Sequence, residues 1–153
     1  MKKLIIVVVL ILVLSAVVYF LYLQGIDTKY ATAYSKCFGS FEISQVDKFL
    51  KDSTAITYKG KTSTYKDLRA NIINAFSEKK FNMSEGSSYG SGNNRFINGV
   101  QTIGVQSYVN YNNKSVEVYI EMQLRKVGFS RFEVKSLSCN DDFFGYLFFG
   151  TVE

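Results

Sequence analysis

Ser115-Val116-Glu117-Val118-Tyr119-Ile120-Glu121-Met122-Gln123-Leu124-Arg125 places an apolar side chain at every second position, with polar or tyrosyl side chains between. A strand sends successive side chains to opposite faces, so this stretch reads as a strand with one buried and one wet face. Weaker alternation runs through Ile103, Val105 and Val109 before it, and through Phe132 and Val134 after it. Asn110 to Lys114 supplies a hairpin turn between the first two strands, because Asn tolerates left-handed backbone. A period of two from about residue 81 onward predicts an antiparallel sheet, whose apolar face the preceding residues must cover.

Those preceding residues read as helices. Thr64-Tyr65-Lys66-Asp67 has the spacing of a capping box and opens onto Leu68, Ile72, Ala75 and Phe76 at helical intervals. Ser44-Gln45-Val46-Asp47 has the same spacing and opens a short helix with Val46, Phe49 and Leu50 on one face. Ala55 to Tyr58 reads as a strand, with Lys59-Gly60-Lys61 as its turn. Tyr30, Tyr34, Cys37 and Phe38 recur at helical spacing, which predicts a helix over about 28 to 38, continuous with whatever precedes it.

What precedes it is Leu4 to Leu23, a run without one charge. At about 1.5 Å per residue a helix of that length spans roughly 30 Å of hydrocarbon. The chain thus divides into a cytoplasmic stub and transmembrane anchor, residues 1–25, and an extracytoplasmic α+β domain, residues 26–153. Lys2 and Lys3 precede the span, and the positive-inside tendency keeps that end in the cytoplasm. Membrane lipid, contacted through residues 4–23, is the first expected partner. The rival reading is a cleaved signal peptide and a secreted product, but the apolar region is long for one, and the clean small-x-small site, Ala31-Thr32-Ala33, lies well beyond it. Tyr34-Ser35-Lys36 before Cys37 does not fit a lipid-attachment site.

Composition removes many chemistries. The chain has no His, no Pro and no Trp, so imidazole bases, His-containing triads and His-ligated zinc have no residues to build on. The net charge of +5 includes the two N-terminal lysines, and the remaining basic residues form no stripe interleaved with aromatics, so nucleic acid is not an expected partner. Gly86-Ser87-Ser88-Tyr89-Gly90 matches a nucleophile-elbow pattern, which a Gly/Ser-rich loop generates by composition and which lacks a His here. Asp141-Asp142 reads as a polar turn. Glu117 and Glu121 stand roughly 13 Å apart on one strand face, too far for a glycosidase pair. No catalytic residue, metal site or cofactor is expected.

Two features leave alternatives open. Cys37 and Cys139 either form a disulfide closing a long loop or pack as two small buried thiols. The aromatic tail, Phe143, Phe144, Tyr146, Phe148 and Phe149, is apolar on both faces of any strand. It is a central strand, a tail packed under the helices, or a candidate interface for a protein partner or for self-association. Ser84 to Asn94, rich in Gly, Ser and Asn, reads as a mobile loop or weak edge hairpin.

The element order, with Phe49-Leu50-Lys51-Asp52, Ile56-Thr57-Tyr58-Lys59-Gly60-Lys61, then Tyr65 and Leu68 opening a helix, resembles the first half of the NTF2-like family, also called SnoaL-like or cystatin-like. Phe132-Glu133-Val134-Lys135-Ser136-Leu137 resembles its closing strand. The resemblance spans about residues 30 to 139 and implies an α+β cone, with helices packed on a curved antiparallel sheet around a pocket. That pocket would be lined by Tyr30, Tyr34, Phe49, Tyr58, Ile120, Met122 and Phe132. The family's enzymes place acid-base residues with a His in the cone, which this sequence does not offer. The expectation is a non-catalytic, membrane-anchored binding or assembly module of a bacterial envelope. The alternatives are a ligand-binding or enzymatic cone, and an envelope immunity or exclusion protein.

Overall fold

The computed structural model describes residues 2–84, 86–90, 95–128 and 131–150. Helix α1 (Lys2–Gly39) carries both the apolar run and the first helix of the domain without a break. Its two halves differ in surroundings. Large apolar side chains from Leu4 to Tyr22 are 42–70% exposed, whereas Ile26, Ala31, Tyr34, Cys37 and Phe38 are buried. The boundary between anchor and domain therefore falls inside a helix, and no flexible linker separates them.

Helix α2 (Ile43–Phe49) begins one residue before the predicted box, with Glu42 at its N-cap and no side-chain capping bond. Ser44 sits inside the helix, so the box spacing there was fortuitous. Val46 and Leu50 are buried and Phe49 is half-buried, as the shared face requires. Strand β1 (Ala55–Tyr58) turns through Lys59 and Gly60, both with positive φ, into β2 (Lys61–Thr64). β2 carries no apolar alternation and was invisible to the period argument. In α3 (Tyr65–Glu78) the predicted cap is present: the Asp67 amide donates to the Thr64 hydroxyl. Tyr65, Leu68, Ile72, Ala75 and Phe76 form its buried stripe.

The remaining strands are β3 (Phe81–Asn82), β4 (Ser88–Gly90), β5 (Arg95–Ile97), β6 (Val100–Tyr111), β7 (Lys114–Lys126) and β8 (Phe132–Cys139). The sheet runs β2-β1-β8-β7-β6-β3, with β4 and β5 also paired to β6. The β6–β7 hairpin turns at Asn112 and Asn113, both left-handed as anticipated for Asn. A register shift at Gln123/Leu124 inserts a bulge between β7 and β8, which bends and twists the long strands.

The expectation of a purely antiparallel sheet needs correction. The sheet is mixed: β1 runs parallel to β8, with Ile56 opposite Leu137, because everything between them serves as one long crossover. In the Gly/Ser-rich segment, Ser88–Gly90 is a paired strand against Ser107–Val105; residues 85 and 91–94 lie outside the described residues.

The aromatic tail is neither a strand nor loose. It forms helix α4 (Asp142–Phe149), capped by Asp141, whose carboxylate accepts from the Phe143 amide at 2.8 Å. Phe143 to Phe148 are all buried. Phe148 meets Phe38 edge-on at 5.6 Å and Phe144 at 4.5 Å, and Phe143 packs against Phe81 at 5.1 Å and Tyr111 at 5.5 Å. Gly145 admits the Tyr58 ring: a β-carbon there would stand 2.5 Å from Tyr58 Cζ. A helix apolar all round is stable only when surrounded, and α1, α3 and the sheet surround this one.

Candidate functional site

The sheet has two chemically distinct faces. Along β6 the residues Gln101, Ile103, Val105, Ser107, Val109 and Tyr111 are buried, and along β7 Val118, Ile120, Met122 and Leu124 are buried. The opposite face carries Tyr89, Tyr108 and Tyr119, 42–47% exposed, alternating with Glu117 and Glu121. Register explains the cluster: Tyr108 stands opposite Glu117, Gln106 opposite both Tyr119 and Tyr89, and Gly104 opposite Glu121. Tyr89 and Tyr108 share a hydroxyl hydrogen bond at 3.2 Å with rings 6.0 Å apart, and Tyr108 Oη donates to Glu117 Oε1 at 3.3 Å. The bond with Tyr89, with the Glu117 charge beside it, pushes the Tyr108 hydroxyl up to about 12. Glu117 is thus paired with a tyrosine.

Beside this patch a cleft of ≈ 550 Å³ is lined by Glu117, Tyr119, Glu121, Ser138, Asn140 and Asp141, among others. Its three carboxylates favour a cationic or hydrogen-bond-donating guest, and Tyr119 offers a ring face to one. This outer face is the candidate binding surface.

The inner face of the sheet is covered by the chain's own buried side chains. Of the seven residues expected to line a pocket, Ile120 and Met122 are fully buried in the core, and Phe132 is 8% exposed. Tyr30 Oη donates to the Phe132 carbonyl at 2.7 Å, which ties α1 to the start of β8. Tyr34 is fully buried with its ring 6.5 Å from Phe49, and its hydroxyl has no partner among the described residues. Burial raises it, with Cys139 and Cys37 nearby. Tyr58 belongs elsewhere: its hydroxyl donates to Asp142 Oδ1 at 3.1 Å, Lys59 Nζ lies 3.1 Å from the same oxygen, and its ring meets Phe149 at 5.7 Å. The structure therefore joins Tyr30 to Phe132 and Tyr34 to Phe49 but does not bring the seven around one opening.

The tail residues Phe143, Phe144, Tyr146 and Phe148 are 0–6% exposed, so they present no apolar patch for a partner; Phe149 is half-buried. Tyr146 Oη donates to Glu78 Oε2 at 2.8 Å across to α3. Cys37 and Cys139 are free, buried thiols. Cys37 Sγ bonds the Tyr34 carbonyl at 3.2 Å, and burial pushes both thiols up, Cys139 to about 11. The elbow-like serine, Ser88, lies in β4 with its hydroxyl donating to Ser107 Oγ at 2.7 Å, a structural bond. Among the described residues no cluster of His, Cys, Asp or Glu has the makings of a metal site.

Two buried polar side chains, Asp27 and Gln101, were not anticipated from the sequence. Asp27 is 3% exposed and packs under Gly90, where a β-carbon would fall 2.4 Å from Asp27 Cβ. Gln101 is fully buried, and neither amide atom meets a partner among the described residues. A signal existed for each. Asp27, Ala31, Tyr34 and Phe38 follow one helical stripe, and extending the parity of Ile103 and Val105 back by one step places Gln101 inside. On the surface, Arg69 Nε and Nη2 grip Asp47 at 2.8 Å each, with Tyr65 Oη also donating to Asp47. The Arg69 guanidinium holds the Asp47 carboxyl below its ordinary range. This bidentate pair braces α2 against α3.

No family model matches the sequence, and no curated protein matches it. Solved structures do. A domain of unknown function with a cystatin-like fold from Nostoc punctiforme is 12% identical, with 82% of this chain and 75% of that one covered at a TM-score of 0.54. A second cystatin-like protein of unknown function from the same organism is 10% identical, covering 73% and 85% at 0.52. An NTF2-like protein of unknown function in nutrient uptake from Rhodospirillum rubrum is 12% identical, covering 72% and 93% at 0.52. At such identities the likeness speaks to architecture alone, and function must be argued from the site. A long helix along a curved sheet, with three shorter helices packed beside it, gives this chain the NTF2-like, cystatin-like fold.

Proposed function

We propose that this chain is a non-catalytic, single-pass anchored binding module of a bacterial cell envelope, with its cone domain held outside the cytoplasm. The observation that carries the reading is helix α1, bare from Leu4 to Tyr22 and buried in the domain from Ile26 onward. A helix apolar all round and unburied needs a non-aqueous surrounding, and its length and hydropathy suit a bilayer. Ser15 returns its hydroxyl to the Ile11 carbonyl at 2.7 Å, which satisfies that donor without water. Tyr19 and Tyr22 fall at the outer end of the run, where amphipathic rings favour the headgroup layer. Lys2 and Lys3 orient the span with the domain outside.

The rigid continuation of the span into the core holds the outer sheet face at a set angle to the membrane, which suits a module that meets a neighbouring envelope protein. The tyrosine and carboxylate face supplies the contact, and a partner segment carrying Lys or Arg is its complement. Protease added to spheroplasts tests the placement: a C-terminal epitope should be lost while a cytosolic control survives, and a protected epitope would contradict the topology. Affinity recovery of the intact protein from solubilised membranes tests the face. Tyr119→Ala combined with Glu121→Lys alters outward side chains only, so it should sharply reduce partner recovery, and unchanged recovery would move binding off this face.

A further inference from the structure

We propose that the end of the sheet nearest the anchor is a membrane-docking rim, which seats Phe96, Ile97 and Val127 in the headgroup layer of an anionic phospholipid bilayer. The inference rests on the reading that α1 spans a membrane, and it adds a second, lipid-specific contact made by the folded domain itself.

Three observations carry it. The first is position. Lys126, at the end of β7, lines a groove of ≈ 680 Å³ together with Ile11, Leu14, Val18, Tyr19 and Tyr22 of the apolar run. Those helical residues cover about 16 Å of helix axis. A bilayer that covers the run therefore reaches the end of the sheet. Tyr30, bonded to the Phe132 carbonyl, fixes the start of β8 against the same helix. The second is connection. Val100 pairs with Arg125, and the Lys126 amide donates to the Gly99 carbonyl, so the β5–β6 turn and the end of β7 form one edge.

The third is chemistry. Ile97 at 64%, Phe96 at 46% and Val127 at 42% are exposed on this edge, and Ile97 is the most exposed large apolar side chain among the described residues outside the anchor. Around them stand Arg95, Arg125, Lys126 and Arg131, and among the described residues the carboxylate paired here is Glu133, 3.8 Å from Arg125 and 3.9 Å from Arg131. Exposed apolar side chains ringed by an excess of positive charge match the boundary between acyl chains and anionic headgroups. The opposite end of the same hairpin shows the contrast: Asn112, Asn113, Lys114 and Ser115 are exposed and carry no apolar side chain.

The absence of Trp from the sequence makes the test clean, because a single introduced indole is the only one in the protein. Full-length Phe96→Trp, Val127→Trp, Lys114→Trp and Val13→Trp variants are reconstituted into phosphatidylcholine vesicles, with or without phosphatidylglycerol, containing acyl-brominated lipid. Lys114 lies roughly 40 Å along β7 from Lys126 and serves as the distal control. The expected result is blue-shifted, bromolipid-quenched emission at positions 96 and 127 in the anionic vesicles, none at 114, and strong quenching at 13 in both. Each basic side chain at the surface contributes about five-fold to the docking equilibrium, so Arg95→Glu with Arg131→Glu should abolish quenching at 127 and leave it at 13.

Quenching at 13 without quenching at 96 and 127 would overturn the rim and leave the span standing. Loss of quenching at 13 would overturn both. Equal quenching at 96 and 127 in neutral vesicles would overturn the anionic requirement. Blue-shifted emission that grows with protein density but is not quenched would assign the edge to a second copy of the chain and overturn the lipid contact.

Discussion

Replacing Phe148 by Ala separates the two readings of the aromatic tail. If the tail were a partner surface, the change would cost the isolated protein little. Phe148 is instead fully buried, edge-on to Phe38 and against Phe144, and its carbonyl accepts from Asn71 Nδ2 at 2.9 Å, which the substitution leaves in place. Removing a buried phenyl ring costs about 3–5 kcal/mol through lost transfer energy and the cavity left behind. Part of that is the edge-to-face geometry, about 0.5–1.5 kcal/mol beyond area alone. Against a total stability of about 5–15 kcal/mol the loss is a large fraction, equivalent to a fall in Tm on the order of 15 °C. The assay is urea and thermal unfolding of the full chain in detergent micelles, followed by the tyrosine near-ultraviolet signal. Ile73→Ala, at a 41% exposed position on α3, is the control and should change stability by less than about 0.5 kcal/mol. A Phe148→Ala protein within about 1 kcal/mol of wild type would refute the placement of α4 in the core.

Gly145→Ala should also destabilise, although Ala is ordinarily favoured over Gly in a helix by about 1 kcal/mol. The new methyl meets the Tyr58 ring, held by Asp142, and overpacking of about 1–3 kcal/mol outweighs the propensity gain, so a rise in Tm would contradict the close approach. Asp47 titrates below its ordinary 3.8 because Arg69 stabilises its charge, so its stabilisation is present above that value and is lost as pH falls through the lower, folded value. Unfolding midpoints of wild type should therefore fall more steeply than those of Asp47→Asn below about pH 4, and parallel curves would remove the pair from the stability of the domain. Asp142 and Glu78 are lowered in the same sense, by Lys59 and by Tyr146, and remain in both proteins. Cys37 and Cys139 should resist alkylation in the folded protein and both react in urea without reductant, since burial disfavours each thiolate; a peptide map linking them would contradict the free-thiol structure.

The long strand and both flanking strands were legible because one-sided burial writes itself as period two, and α3 was legible because a capping box coincided with an apolar stripe. β2 was not, since an edge strand of Lys, Thr and Ser buries little and carries no period. The parallel β1–β8 pair was not, because local pattern says nothing about which distant edge a strand joins. Whether the buried tail is strand or helix was not legible, because an all-apolar segment fits either element; the Asp141-Asp142 pair before it was the available sign of a helix start. Of the residues expected to line a pocket, Tyr34, Tyr58, Ile120, Met122 and Phe132 are buried and Tyr30 and Phe49 half-buried, and residue type alone cannot tell a lined cavity from a packed core. The outer tyrosine and carboxylate face was present in the same alternation and was passed over, because attention to the buried half of a period-two pattern discards the half that meets partners.

The proposed topology requires α1 to remain whole, with its bare half in lipid. Intact-mass measurement of the protein retained in alkaline-carbonate-washed membranes addresses this most directly. A species near the full-length 17.4 kDa is the predicted result. A shortened chain beginning beyond Leu23, or release of the full chain by the wash, would contradict it.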